Sequence, residues 1–356
     1  MNCPAYLLYI SVISLLISSQ INCQTAENHK KIIIDVQAND ELKFSKIGKV
    51  VKIVPLQQTT SDFFLSRNRI IVDEGKDCLF ITYGNFPQSV YQYRLSTGEQ
   101  IRIIKKDNKT LFDSPIQIFT YPDEKSIGIV CREEIYKYDF NGILLQKIKI
   151  QGVQGIGDIY FFNEHYWGFN LEFTGKGFDR YSLVSSKNFE TNDIKFETIH
   201  KRGDCEPDFL KVGRFPFFNT VGDNLFFSNQ ADPVLYRLHN NNIETICEYK
   251  FNTSDFTCPD FSNRQLTLLG DKWIIIQYIY KNHFNSCFYS LKTNELYNLI
   301  NGFIKDDLFG MESIFPIIRI VNENYFCFIL PTDKIKHGLV NKLGNSKQCL
   351  VLMNVK

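Results

Sequence analysis

Six times along the chain a short polar turn, five times acidic or Gly-Asp in type and once Asn-Glu-Asn, stands directly before a strongly apolar run. This repeat constrains the fold more than any other feature. The instances are Asp73-Glu74-Gly75-Lys76-Asp77 before CLFITY, Pro122-Asp123-Glu124-Lys125 before SIGIVC, and Asn163-Glu164 before HYWGFN. They continue with Gly222-Asp223-Asn224 before LFFSN, Gly270-Asp271-Lys272 before WIIIQYIY, and Asn322-Glu323-Asn324 before YFCFIL. Gly, Asn and Asp tolerate the positive φ that tight hairpins need, so each site reads as a turn between adjacent antiparallel strands. The markers Glu74, Asp123, Glu164, Asp223, Asp271 and Glu323 recur every 41 to 59 residues, the range of a four-stranded propeller blade.

A second turn follows about twenty residues after five of these markers, far enough to admit two further strands. It is read at Ser96-Thr97-Gly98, Asn141-Gly142, Ser186-Lys187-Asn188, Asn240-Asn241-Asn242 and Lys292-Thr293-Asn294. An alternating strand precedes each, as in VYQYRL or PVLYRL, and another follows, as in IRIIKK or IETICEYKF. The sixth unit runs from NYFCFIL through a Lys-rich insertion, Thr332 to Gln348, to CLVLMNV, and lacks its last strand. A strand lent from the N-terminal side would complete it and cover an open edge. Val50 to Leu56 is the first candidate for that strand and Ile32 to Val36 the second. Helical periodicity is nearly absent outside the insertion. The expected fold is all-β: a six-bladed β-propeller of four-stranded antiparallel blades, closed by an N-terminal strand.

Tyr6 to Ile17 is apolar or serine throughout, the length of a secretory signal core and too short to span a bilayer. Residues 1–23 read as a signal peptide, 24–31 as a polar linker and 32–356 as one propeller domain. Cleavage near Cys23 is open to two outcomes, ordinary processing or a lipoprotein signal that acylates Cys23. An exported protein in the periplasm, at the cell surface or on the outer membrane is expected, touching membrane only through such an anchor. Forty Lys and Arg against 39 Asp and Glu leave no global field, so nucleic acid is excluded as a partner. A closed ring needs no second chain to cover an edge, which points to a monomer. Cys78, Cys131, Cys247, Cys287, Cys327 and Cys349 lie in apolar strands and read as small buried hydrophobes.

The order of these parts resembles the bacterial exported six-bladed β-propeller family, whose blades are distant relatives of NHL repeats. The likeness is carried by the strand ending Pro55-Leu56 with its Gln57-Gln58-Thr59-Thr60 tail, by YKYDFNG at Tyr136 to Gly142, by FSNQADPVLYRL at Phe227 to Leu238, and by the closing CLVLMNVK. It implies a propeller and export, and leaves biochemical activity undefined.

Loops that join the outer strand of one blade to the inner strand of the next gather around a propeller's channel. Two of them are alike here: His200 to Asp208, with Asp204, Cys205, Glu206 and Asp208, and Thr253 to Asp260, with Asp255, Cys258 and Asp260. Three readings stand: solvated loops with free thiols, a Cys205–Cys258 disulfide stapling the fourth and fifth blades, or a carboxylate-lined ligand or cation site. Trp167 in HYWGFNLEF is either an aromatic platform for a sugar ring or core packing, with His165 as an interior histidine; Trp273 reads as core. No nucleophile elbow, zinc motif or phosphate loop is present, and GVQGIG at Gly152 to Gly157 leads into a strand where a dinucleotide fingerprint needs a helix. The motifs call for no cofactor, calcium being the cation for the loop carboxylates if they hold one. The function expected is a binding or interaction module for a glycan, peptide or protein. The alternative is a propeller hydrolase or lyase with a cation over the channel.

Overall fold

The computed structural model describes residues 29–57, 70–83, 88–106, 110–113, 116–121, 124–151, 159–173, 178–189, 193–201, 217–228, 233–252, 261–281, 283–314, 318–332, 335 and 346–356. Two strands come first, β1 (Lys30–Asp35) and β2 (Gly48–Leu56). Blade 1 is β3 (Ile70–Asp73), β4 (Cys78–Thr82), β5 (Val90–Arg94) and β6 (Gln100–Ile104). Blade 2 is β7 (Ile116–Tyr121), β8 (Ser126–Cys131), β9 (Glu134–Asp139) and β10 (Leu144–Lys149). Blade 3 is β11 (Tyr160–Phe162), β12 (His165–Phe173), β13 (Phe178–Ser186) and β14 (Asp193–Lys201). Blade 4 is β15 (Phe217–Val221), β16 (Asn224–Ser228), β17 (Val234–His239) and β18 (Asn242–Asn252). Blade 5 is β19 (Phe261–Leu269), β20 (Trp273–Tyr280), β21 (His283–Ser290) and β22 (Leu296–Leu299). A small hairpin, β23 (Ile304–Lys305) and β24 (Ser313–Ile314), precedes β25 (Arg319–Ile320), β26 (Tyr325–Pro331) and β27 (Gln348–Val355), which form blade 6 with β2. The protein is a six-bladed β-propeller of four-stranded antiparallel sheets.

The turns work as their residue types require. Positive φ falls on Asp77, Lys125, Asn163, Glu164, Gly222 and Gly270 in the first five inner hairpins. The sixth does without it: Asn322 Oδ1 accepts from the backbone N–H groups of Asn324 (2.8 Å) and Tyr325 (2.9 Å), so a side chain stands in for the left-handed residue. Among the outer hairpins, Gly98, Gly142, Asn240, Asn241 and Asn294 take positive φ at the expected turns. In blade 3 it falls one residue later, on Phe189, whose N–H donates to Ser186 Oγ at 2.7 Å. Burial decides this, because the Phe189 ring is wanted on Tyr166, at 4.8 Å between centroids.

Apolar side chains of facing blades form one cluster per seam. Tyr136 and Phe80 meet between blades 1 and 2, Phe119 and Tyr166 between 2 and 3, and Phe169 and Phe227 between 3 and 4. Leu235 and Ile276 meet between blades 4 and 5, Trp273 and Phe328 between 5 and 6, and Leu350 and Leu79 between 6 and 1. No sheet covers both of its own faces, so every blade depends on two neighbours. In five blades the outermost strand carries a bulge against its neighbour, which increases twist and blunts the exposed edge.

Closure uses the N-terminal segment twice. Strand β2 pairs antiparallel with β27 from Gly48 opposite Val355 to Leu56 opposite Gln348, so the first candidate from the sequence is the closing strand. The second candidate does something else. Ile32 and Ile34 lie in β1, which starts at Lys30 and adds a fifth, parallel strand to the outer edge of blade 4, from Lys30 opposite Cys247 to Asp35 opposite Asn252. Ile32, Ile34 and Val36 are buried against blades 4 and 5, so this segment completes a different seam from the one expected.

Between these strands the chain crosses the edge of blade 5 as a strap, and Asn298 holds it there. Its amide Nδ2 donates to Asp35 O (2.8 Å) and Ala38 O (2.9 Å), while Oδ1 accepts from Tyr278 Oη at 2.8 Å. The Asp40 N–H donates to Asn298 O, and the Asn298 N–H to Asp40 Oδ2, both at 2.8 Å. Asn298 is 1% exposed, so every one of these bonds replaces lost water. A four-residue helical turn, Phe44–Ile47, then buries Phe44 and Ile47 with Phe309 and Phe328 in the seam of blades 5 and 6.

Two substitutions test this closure. A Cβ on Gly98 would lie 1.6 Å from Pro55 O, and its φ is +71°, so Gly98→Ala should destabilise by about 2 kcal/mol or more in urea unfolding followed by tryptophan fluorescence. Gly75→Ala, whose Cβ meets only Asp73 Oδ1 at 3.6 Å, should change little; equal effects would refute the docking of the first outer hairpin on β2. Asn298→Ala should cost about 2–4 kcal/mol, because it strands buried carbonyls of the strap. Hydrogen exchange at the Asp40 and Ile300 amides should speed up with it, and unchanged rates there would show that Asn298 does not hold the strap.

Candidate functional site

The six innermost strands converge on a central channel and line a cavity of about 160 Å³. Ile70 comes from β3, Ile118 from β7, Tyr160 from β11, Phe218, Asn219 and Thr220 from β15, Thr267 from β19, and Arg319 and Ile320 from β25. The cavity also reaches sideways between blades 5 and 6, where Ile275, Gln277, Ser286, Phe288 and Gly302 form its wall. Residues two apart on β20, Ile275 and Gln277, share one face of blade 5, and Gln277 stands opposite Ser286 on β21.

Two kinds of surface meet here. The apolar side holds isoleucines and two aromatic rings, Tyr160 and Phe218, 6.3 Å between centroids with planes 25° apart. The Tyr160 hydroxyl shares a 3.1 Å hydrogen bond with Thr220 Oγ1; burial raises its pKa and that bond pulls the other way. The polar side holds Asn219 (6% exposed), Thr267 (9%), Ser286 (3%) and Gln277. Asn219 Nδ2 donates to Leu268 O at 2.8 Å, which fixes the amide and leaves Oδ1 on the cavity wall. Among the described residues, Asn219 Oδ1 and the side chains of Thr267, Gln277 and Ser286 have no protein hydrogen-bond partner. None of these atoms is among the fully buried side-chain atoms that lack a partner, so they face the open cavity, where solvent can reach them. Arg319 is the one charged side chain among the described lining residues.

Sequence reasoning placed the site elsewhere. Asp204, Cys205, Glu206, Asp208, Asp255, Cys258 and Asp260 lie outside the described residues, as do Cys23 and Gly152 to Gly157. Trp167 is 5% exposed in the seam between blades 3 and 4, and its indole N–H donates to Phe162 O at 3.0 Å. It shares that seam with Phe169, whereas His165 is only half-buried at the hairpin, its Nδ1–H donating to Asn163 O at 2.7 Å. The expected interior histidine is therefore a turn residue, because the strand start it occupies is the wet end of β12. Trp273 is core, with its N–H donating to Lys356 O at 3.0 Å. The signal for the channel residues was present but slight: single polar residues interrupting apolar strands, as Gln277 does in WIIIQYIY and Asn219 in FFNTV.

Another buried charge is structural. Lys137, 8% exposed, pairs with Glu124 and lies 4.5 Å over the Tyr121 ring, inside the seam of blades 2 and 3. No group of three or more His, Cys, Asp or Glu side chains among the described residues could hold a metal ion. Cys78, Cys131, Cys247, Cys287, Cys327 and Cys349 are free and buried. Burial pushes the thiols of Cys247, Cys327 and Cys349 up to about 12.

No family model matches the chain, and no curated protein does. It is similar in structure to a Bacteroides fragilis protein, BF0058, named for an inferred export, with a TM-score of 0.57 and 12% identity over 92% of this chain and 99% of that one. The WD40 domain of Neurospora crassa Pan2 gives a TM-score of 0.42 at 9% identity, covering 88% of this chain and 97% of the domain. The N-terminal domain of Nup159 gives 0.41 at 10%, covering 86% and 81%. At such identities the likeness concerns the fold alone.

Since the thiolate is the reactive form, the six described cysteines should resist alkylation in the native protein at pH 8 and react fully once it is denatured. Mass-resolved labelling separates them from Cys205 and Cys258. Rapid native labelling at Cys247, Cys327 or Cys349 would contradict the seam packing.

Proposed function

We propose that the chain is an exported β-propeller whose central channel binds a ligand, and that it acts as a binding module. The observation that carries this is the channel wall: all six blades contribute to it, and its side-chain amide and hydroxyl groups, apart from the Asn219 Nδ2 bond to Leu268 O and the Tyr160–Thr220 pair, make no hydrogen bond among the described residues. Mixed apolar and convergent polar surface of this kind is the usual character of a small-ligand site. Export is supported by the apolar run from Tyr6 to Ile17 and by the name of the Bacteroides neighbour. Placement in the periplasm or at the cell surface, an anchor through Cys23, kinship of the blades with NHL repeats and a monomeric state belong to the same proposal. The balanced net charge of +1 speaks against a polyanionic partner.

The channel as the binding site is tested with a filled variant. Ile118→Trp places an indole into the cavity, and its folding is checked by circular dichroism. A library of small molecules, saccharides and short peptides is screened by thermal shift against both proteins. Ligands at about a hundredfold their dissociation constant should stabilise the native protein by about 2.7 kcal/mol and leave Ile118→Trp unshifted. Ligands that stabilise both equally would move the site out of the channel, and a library without any binder would count against the module itself.

A further inference from the structure

Resting on that reading of the channel, we infer that its ligand is a neutral sugar, held as a single pyranose-sized ring. Size comes first. A cavity of about 150 Å³ admits benzene, and the 160 Å³ here, which also opens to solvent, is on the scale of one ring. Water alone would fit by volume, since each molecule takes about 30 Å³, but half of the wall offers it nothing: Ile70, Ile118, Phe218 and Ile320 have no polar side-chain atoms.

The distribution of chemistry selects among rings. Tyr160 and Phe218, stacked at 6.3 Å, both border the cavity and supply aromatic surface of the kind that takes the C–H face of a sugar. On the same wall, on β15 and the neighbouring blade 5, the groups without a protein partner are two carboxamides and two hydroxyls: Asn219 Oδ1, Gln277, Thr267 Oγ1 and Ser286 Oγ. Apart from the Asn219 oxygen, each can both donate and accept, as the hydroxyls around a pyranose can. An aromatic hydrocarbon ligand would take water from all four and offer them no hydrogen bond in return. A carboxylate ligand would seek cations, and among the described lining residues only Arg319 is one, with its guanidinium already donating to Ile318 O at 3.3 Å. A neutral polyol with one apolar face answers both halves of the wall.

The test uses the purified full chain and four probes, glucose, galactose, mannose and N-acetylglucosamine, titrated calorimetrically and checked by saturation-transfer NMR, with benzoate as the anionic aromatic comparison. Thr267→Val and Ser286→Ala remove one hydroxyl each and nothing larger, so both should fold. At least one sugar should bind with a dissociation constant of about 1 mM or tighter, and each variant should weaken it by about tenfold. Benzoate binding that depends on the channel while all four sugars are silent would overturn the sugar assignment and keep the channel as the site. Silence from sugars and benzoate alike, or sugar binding that neither these variants nor Ile118→Trp disturbs, would overturn the sugar assignment together with the channel reading.

Discussion

A four-stranded sheet with two apolar faces cannot cover either by itself, and in this protein that debt is settled only by a circle. Six sheets give six seams, and each seam holds its own cluster of buried side chains. An open arc of the same blades would leave two apolar faces in water. The antiparallel pairing of β2 with β27 is therefore the joint on which the other contacts depend, since it turns the arc into a ring.

The joint is reinforced where the arc would otherwise part. The seam between blades 5 and 6 gathers side chains from both blades, from the helical turn at Phe44–Ile47 and from the β23–β24 hairpin that carries Phe309. Hydrogen bonds add to it: the Lys356 N–H donates to Ile47 O at 2.9 Å, and Lys272 Nζ to Val355 O at 2.9 Å. Ion pairs along the strap, such as Lys46 with Glu295 at 3.1 Å, are exposed and contribute little by comparison. Burial and the satisfied polar hub at Asn298 do most of the holding. By lying across blades 4, 5 and 6, the strap couples their outer edges, while the edges of blades 1 to 3 rely on bulges alone.

Most of this was legible beforehand because a repeat multiplies weak signals. One Gly-Asp or Asn-Glu pair proves nothing, but six such polar turns in phase with apolar strands specify hairpins, blade number and the missing last strand. The use of Val50 to Leu56 followed from counting strands. The role of Ile32 to Val36 did not, because its alternation shows that one face is buried without showing against which blade. Asn298 was invisible for a related reason: its partners, Asp35, Ala38 and Asp40, are some 260 positions away. The candidate site was less legible still. Sequence reasoning sought charged or conspicuous residues, the loop carboxylates and Trp167, and Trp167 is in the seam because a large ring with an N–H that reaches Phe162 O fits there.

The channel residues escaped notice since each is ordinary alone. Thr267, Gln277 and Ser286 come from three paired strands of blade 5 and Asn219 from blade 4, so sheet pairing and one contact between blades bring them to one wall. Their polarity has no structural use that the hydrogen bonds reveal, except for the single bond from Asn219 to Leu268. An apolar residue at Thr267 or Ser286 would suit the surrounding core as well or better. A fold that could have filled its axis with Ile and Phe, as it fills each seam, keeps hydroxyls and amides there, and the proposed ligand rests on that contrast. Trp167 takes the core-packing reading of the two the sequence left open, and aromatic rings border open space instead at Tyr160 and Phe218.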